Sequence, residues 1–209
     1  GDESLSRILA LDNPLLDKVT LYHLVGNQLI NTTYMGDTLP FQQRPLLSNI
    51  FLYPFKINAN EQHTFYLHIE TEGNAAVPLN LWSANDLVQI AESTAVEHGF
   101  QLGVLAAIGI FSLFIALASG SFSYSYYSGY VLCMTLLVAT INGFAFRFLW
   151  PNWPALQQLM VPMLLPLVMA FALMFTEKIL QLKYYNRRML LMCRYSAVYI
   201  LLVCLLVPF

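Results

Sequence analysis

The sequence predicts a mixed fold: an all-β N-terminal domain followed by an α-helical bundle that spans a membrane. Three observations predict it. Between Glu97 and Arg147 there is no charged side chain. Such a run is too long for one buried helix, and long enough for two crossings at roughly 20 apolar residues each. Charge is also divided unevenly: residues 1–97 carry 4 basic and 11 acidic side chains, residues 98–209 carry 6 basic and 1 acidic, and the whole has a net charge of −2. Finally, the first half alternates apolar and polar residues with a period of two, the pattern of half-buried strands. With 57% hydrophobic and only 11% charged residues, the chain departs from soluble domains, which carry about 25% charged.

The β domain is placed at residues 1–84. Residues 6–10 read as the middle of a sheet rather than its beginning. Residues 19–25 and 28–34 are two strands separated by Gly26-Asn27, a two-residue hairpin turn. Gly36-Asp37 is a second turn signal. Residues 48–57 are rich in β-branched and aromatic side chains, and Pro54 marks an edge or a bulge. In 63–70, Phe65, Leu67 and Ile69 face one way, and Tyr66, His68 and Glu70 the other. Residues 77–82 alternate again. Five or six short strands predict a sandwich, jelly-roll-like and incomplete, since the count is small for a closed one.

Ser83-x-x-Asp86 resembles a capping box. It starts a linker helix, 85–98, expected to run into the first span and to pack Leu87, Ile90 and Ala91 on the sandwich. Four spans are expected in 99–209, at about 99–119, 126–146, 155–175 and 190–209. Gly120-Ser121-Phe122-Ser123-Tyr124-Ser125 breaks the first from the second. Trp150-Pro151-Asn152-Trp153-Pro154 marks a turn at a membrane interface, where Trp is enriched. Pro162 and Pro166, four apart, predict a kink. After the third span come Lys178, Lys183, Arg187, Arg188 and Arg194 against Glu177. Positive loops stay cytoplasmic, which puts the β domain outside. Gly99 and Gly103 lie one turn apart, a spacing that lets helix backbones approach closely.

Several classes are excluded. All three cysteines, Cys133, Cys193 and Cys204, lie in or beside apolar runs, so no disulfide framework holds the β domain. His23, His63 and His98 fit no metal-ligand spacing, and no metal or cofactor is expected. The acidic half would repel phosphate, so nucleic acid is not a partner. No clustered acid, base or nucleophile marks an enzyme.

Several stretches carry a family resemblance. Asn13-Pro14-Leu15-Leu16-Asp17-Lys18-Val19-Thr20-Leu21-Tyr22 is similar to a "Val-x-Leu-Tyr" strand. Gly36-Asp37-Thr38-Leu39-Pro40 with Arg44 is similar to a Gly-Asp…Pro…Arg segment. Phe65-Tyr66-Leu67-His68-Ile69 is similar to a late strand, with His68 where a basic residue is usual. Gly99-x-x-x-Gly103, Tyr126-Tyr127-Ser128-Gly129-Tyr130, and Gly143 followed by Trp150-Pro151 fit the opening membrane helices and outer loop. In this order they resemble the bacterial seven-transmembrane receptors with diverse intracellular signalling modules. Against that pattern the first strands and the last spans are missing, so the chain is expected to be a piece of a longer protein.

The resemblance implies a sensory input portion in the bacterial inner membrane, its β domain in the periplasm or outside. It would bind a carbohydrate or other small molecule and relay the signal to a cytoplasmic domain such as a diguanylate cyclase or histidine kinase. Membrane lipid and a second copy, as a homodimer, are the expected partners. A transporter or membrane-enzyme accessory subunit is the alternative, opposed by the scarcity of ionisable residues in the spans, apart from boundary Arg147 and Glu177. For the ligand, Tyr66, His68 and Trp82 suggest an aromatic platform, with a solvated strand face as the competing reading. Asp37 and Arg44 suggest polar ligand contacts, against a turn with a surface salt bridge. Arg147, Trp150 and Trp153 read as interface anchors, and Gly99 and Gly103 as helix-packing positions.

Overall fold

The computed structural model describes residues 5–58, 61–185 and 187–206. Positions 1–4 of the expected sandwich and 207–209 of the expected fourth span lie outside them. The chain divides into two compact units, Gly1–Val96 with Ile141–Gln158, and Glu97–Thr140 with Leu159–Phe209.

The first unit holds two three-stranded antiparallel sheets. The strands are β1 (Leu5–Leu11), β2 (Lys18–Val25), β3 (Gln28–Met35), β4 (Phe51–Ile57), β5 (His63–Glu70) and β6 (Leu79–Ser83). One sheet has the order β4-β1-β6 and the other β3-β2-β5. Pro54, which cannot donate to a ladder, sits on the edge strand β4. Alternation explains the core. Leu11, Phe51, Tyr53 and Phe55 of the first sheet meet Val19, Leu21 and Met35 of the second in one buried cluster. The opposite face of β1 and β4 is also covered: Ile8, Ala10 and Leu52 pack with Leu46, Ile50, Trp82 and Leu87. Strands buried on both faces read as nearly unbroken apolar runs, as β1 does.

Helix α1 spans Ala84–Ser119 as one element of 36 residues. Ser83 Oγ accepts from the Asp86 amide at 3.2 Å and donates to Asp86 Oδ2 at 2.6 Å, so the cap forms. Of the residues expected to dock on the sheets, Leu87 does so. Ile90 and Ala91 are exposed, because the apolar cluster covers only one turn of the helix.

Helix α2 is Phe122–Ile141, and the short α3 is Phe144–Phe148. The expected second span, 126–146, therefore ends five residues early. Gly143, at φ 74°, takes the left-handed conformation that terminates helices. A Cβ there would lie 2.7 Å from the Asn49 carbonyl oxygen. Ala145 and Phe146, counted as span residues, are buried in the first unit instead.

In the second unit α2 is followed by α4 (Pro154–Ile179), α5 (Leu182–Tyr185) and α6 (Arg187–Leu206). Ser128 Oγ donates to the Gly109 carbonyl at 2.8 Å, and a Cβ on Gly109 would strike the Leu132 side chain. A Cβ on Gly129 would meet the Phe171 ring at 2.7 Å. Arg194 of α6 grips Glu177 of α4, with Nη2 at 2.7 Å from Oε1 and Nε at 3.1 Å from Oε2. Among the described residues three helices, α1, α2 and α4, are long and apolar enough to cross a membrane. The expected crossing at 190–209 lies partly outside the described residues. At 1.5 Å per residue, α1 is roughly 54 Å long, well beyond a bilayer core of about 30 Å. Its excess is the N-terminal stretch that carries Asp86, Glu92 and Glu97.

Candidate functional site

The outer face of the β3-β2-β5 sheet is the first candidate. Strand side chains alternate, so residues two apart share a face. Tyr22 stands directly opposite Tyr66, with Thr32 on its other side. In the adjoining row Thr20 lies between Tyr34 and His68. Tyr34 and Tyr66 are 63% and 61% exposed, and Tyr22 is exposed too. Lys18 and Glu70 close the face with an exposed ion pair of 3.5 Å. The result is a flat polar-aromatic surface of three tyrosines and a histidine.

The structure thus brings Tyr66 and His68 together but not Trp82. That indole lies on β6 in the other sheet, paired with Ile8 and half-buried against the start of α1. Tyr22 and Tyr34 take its place. Tyr22 was legible from the alternation of β2, but Tyr34 was not: the two-residue turn alone pairs Tyr34 with Val19 on the inner face, and the register shift between His23 and Leu24 moves it opposite Thr20.

Asp37 and Arg44 are not surface groups. They are only 4% and 7% exposed, and among the described residues no ion pair joins them. The Arg44 guanidinium sits 4.4 Å over the Phe51 ring, 4.6 Å over Phe41 and 5.6 Å over Phe146. Its Nη1 donates to the carbonyls of Ser48 at 2.8 Å and Asn49 at 3.1 Å. Burial pulls its pKa down to about 10, opposed by the charge of Asp37. It therefore stays charged at neutral pH. Asn49 Nδ2 in turn donates to the Asn142 carbonyl at 3.2 Å, and the Phe41 amide donates to the Pro151 carbonyl at 3.0 Å. Phe41 and Phe146 meet edge to face at 5.6 Å. Arg44 is the hub of a clamp that holds the segment Ile141–Gln158 to the β domain.

The other expected positions divide. Trp150 donates to Gln157 Oε1 at 2.9 Å, while Trp153 is exposed. The Arg147 guanidinium lies 5.1 Å over the neighbouring Phe148 ring. A Cβ on Gly99 or Gly103 would meet nothing within 4 Å. Among the described residues, close helix contacts occur at Gly109 and Gly129.

Comparison with known families decides what this arrangement belongs to. The model described as 7TM diverse intracellular signalling matches residues 95–209, and the one described as 7TMR-DISM extracellular 2 matches residues 1–83. The chain belongs to the 7TM diverse intracellular signalling family. It is a transmembrane sensory receptor with an extracellular β domain and apolar helices, and the matched domains are sensory rather than catalytic. No curated protein and no solved structure matches it.

One cluster in the receptor joins two histidines whose spacing fits no metal-ligand pattern. His23 and His63 come together, Nε2 to Nδ1, at 2.9 Å. The contact is a hydrogen bond between the two imidazoles. Alternation puts His23 on the inner face with Val19 and Leu21. Its partner is 40 residues away, and only the β2–β5 register reveals it.

Proposed function

We propose that this chain is the sensory input portion of a bacterial inner-membrane receptor. The two sheets form a sandwich outside the cytoplasm, α1 links it to the membrane helices, and α6 completes a fourth crossing. A cytoplasmic signalling domain, such as a diguanylate cyclase or histidine kinase, receives the signal. The open faces of Gly99 and Gly103 suit a second copy of α1, as in a homodimer. No step of this relay calls for catalysis by the chain itself.

The ligand reading rests on one observation, the side-by-side exposure of Tyr22, Tyr34, Tyr66 and His68 on one sheet face. Flat rings suit the C–H faces of a sugar, and the phenol hydroxyls add hydrogen bonds at the rim. The class proposed is a carbohydrate. The full chain in lipid nanodiscs should show saturable binding on a glycan array. Tyr66→Ala should weaken that binding about tenfold, roughly 1.4 kcal/mol, and Tyr66→Phe much less. Glycan binding that survives Tyr22→Ala/Tyr66→Ala unchanged would move the ligand elsewhere.

Orientation has its own test. A cysteine replacing Asn27 should react with an impermeant thiol reagent on intact cells, and one replacing Lys183 should react only after lysis. The reversed pattern would turn the topology over.

A further inference from the structure

A chain of polar groups links the two sheets at one end of the β domain. His23 on β2 is only 5% exposed. Its ring stacks on Phe65 at 4.6 Å and meets Phe55 edge-on at 5.7 Å. Its Nδ1 lies 3.1 Å from the Tyr53 hydroxyl on β4, and its Nε2 lies 2.9 Å from His63 Nδ1 on β5. Asn31 Nδ2 donates to the same Tyr53 hydroxyl at 3.2 Å. At the other end His63 Nε2 stands 3.5 Å from Glu61 Oε2, which accepts from Asn58 Nδ2 at 2.9 Å.

Counting protons fixes the direction of the chain. With both imidazoles neutral, each hydrogen bond from Asn31 to His63 has one donor and one acceptor. Asn31 donates to Tyr53, and the Tyr53 hydroxyl donates to His23 Nδ1. His23 Nε2–H donates to His63 Nδ1, and His63 Nε2, buried 3.5 Å from Glu61 Oε2, makes no hydrogen bond. One more proton on the pair has four possible placements, of three kinds, and each breaks the chain. If both inner nitrogens carry hydrogens, two N–H groups face each other at 2.9 Å. If His63 is doubly protonated and the chain reverses, His23 Nδ1–H points at a Tyr53 oxygen that already accepts from Asn31. The hydroxyl hydrogen is then left without an acceptor. If His23 carries both protons the same hydroxyl is orphaned, and a charge is buried among phenylalanine rings. An unsatisfied buried polar group costs about 1–3 kcal/mol, and a buried charge more.

We propose that this chain is a proton-responsive latch. At neutral pH it holds β2 to β4 across the core, beside a groove of about 490 Å³ lined by His23, Asn31, Tyr53, Lys56, Glu61 and His63; in acid it releases them and the groove widens. The charged groups that face it are Glu61, 3.5 Å from His63 Nε2, and Lys56 in the groove wall. Burial, and secondly the neighbouring His63, hold the His23 imidazole below its ordinary value. A lowered histidine contributes stability above the unfolded value of 6.5 that is lost as pH falls through it. The β domain is thus an acid sensor, whatever the tyrosine face binds.

Hydrogen exchange of the full chain in nanodiscs tests this at about pH 7.5 and about pH 5.5, on either side of the ordinary histidine pKa. Rates are corrected for the intrinsic effect of pH. Amides of β2 and β4 around His23 and Tyr53 should exchange about tenfold faster in acid, the factor that about 1.4 kcal/mol of lost latch energy gives. In His23→Gln and in His63→Gln that acid acceleration should vanish; where one variant fails to fold, the other decides. Equal corrected rates at both pH values in the wild type would overturn the proposal. So would acid opening that persists in a folded variant.

Discussion

Arg44→Ala is expected to destabilise the β domain by about 3 kcal/mol, the scale set by breaking a buried, hydrogen-bonded cation out of its network. Two losses add up. The Ser48 and Asn49 carbonyls lose a charged donor, and the rings of Phe41, Phe51 and Phe146 lose a cation and the volume between them. Arg44→Lys should fall between alanine and wild type. One ammonium cannot lie flat on aromatic rings while reaching two carbonyls, which a planar guanidinium does. For a domain of this size 1 kcal/mol corresponds to roughly 4–8 °C in Tm, so alanine should lower the melting temperature by more than about 10 °C. A second readout separates the clamp from general loosening. Amides from Phe144 to Trp150 should exchange faster in Arg44→Ala even below the melting transition, because Phe146 and Asn142 are held through Arg44 and Asn49. An alanine variant within about 1 kcal/mol of wild type, the range of an ordinary surface change, would show that the clamp carries no weight.

The sequence was most informative where one physical signal dominates. Strand β5 alternates cleanly, and its exposed residues Tyr66 and His68 lie on the face that alternation predicts. The charge-free run marks the first two membrane-type helices, and the prolines and tryptophans at 150–154 mark the turn between α2 and α4. The failures share a cause: hydropathy records the polarity of a side chain, not what surrounds it. Phe144, Ala145 and Phe146 look like membrane residues, yet Phe146 is buried against Phe41 and Arg44 of the β domain. Asp37 and Arg44 look like surface residues, yet both lie inside. Each of these depends on a contact between segments far apart in the chain, which local periodicity does not encode.

Asp37→Asn should make the β domain more stable than wild type above neutral pH and nearly equal to it in acid. Asp37 follows the end of β3 and lies beside the residues that lead into β2, where its amide donates to the Leu16 carbonyl at 2.9 Å and Thr38 Oγ1 donates to the Asp17 carbonyl at 2.6 Å. Its Oδ1 is buried with no protein partner. Burial first, and then the nearby Asp17 carboxylate, push its pKa up to about 7 from the ordinary 3.8, against the pull of Arg44. The sign follows from linkage. Below about pH 4 the carboxyl is protonated in both states and nothing is lost. Between about pH 4 and about pH 7 only the unfolded chain ionises, so wild-type stability falls as pH rises; above that range the loss is constant. At about 1.36 kcal/mol per pK unit, the rise corresponds to roughly 4 kcal/mol. Relaxation around the ionised group reduces what is measured, and about 2 kcal/mol, or roughly 10 °C in Tm, is expected at pH 8. The histidine latch runs the opposite way, losing stability as pH falls through 6.5. Comparing Asp37→Asn with wild type in a His23→Gln background therefore isolates the carboxyl. In that background the curve of the chain that keeps Asp37 should decline steadily from acid to neutral pH, and the Asp37→Asn curve should stay flat. Parallel curves would mean that Asp37 ionises in the folded domain as freely as in the unfolded chain, and that its place beside Asp17 and Arg44 costs the fold nothing.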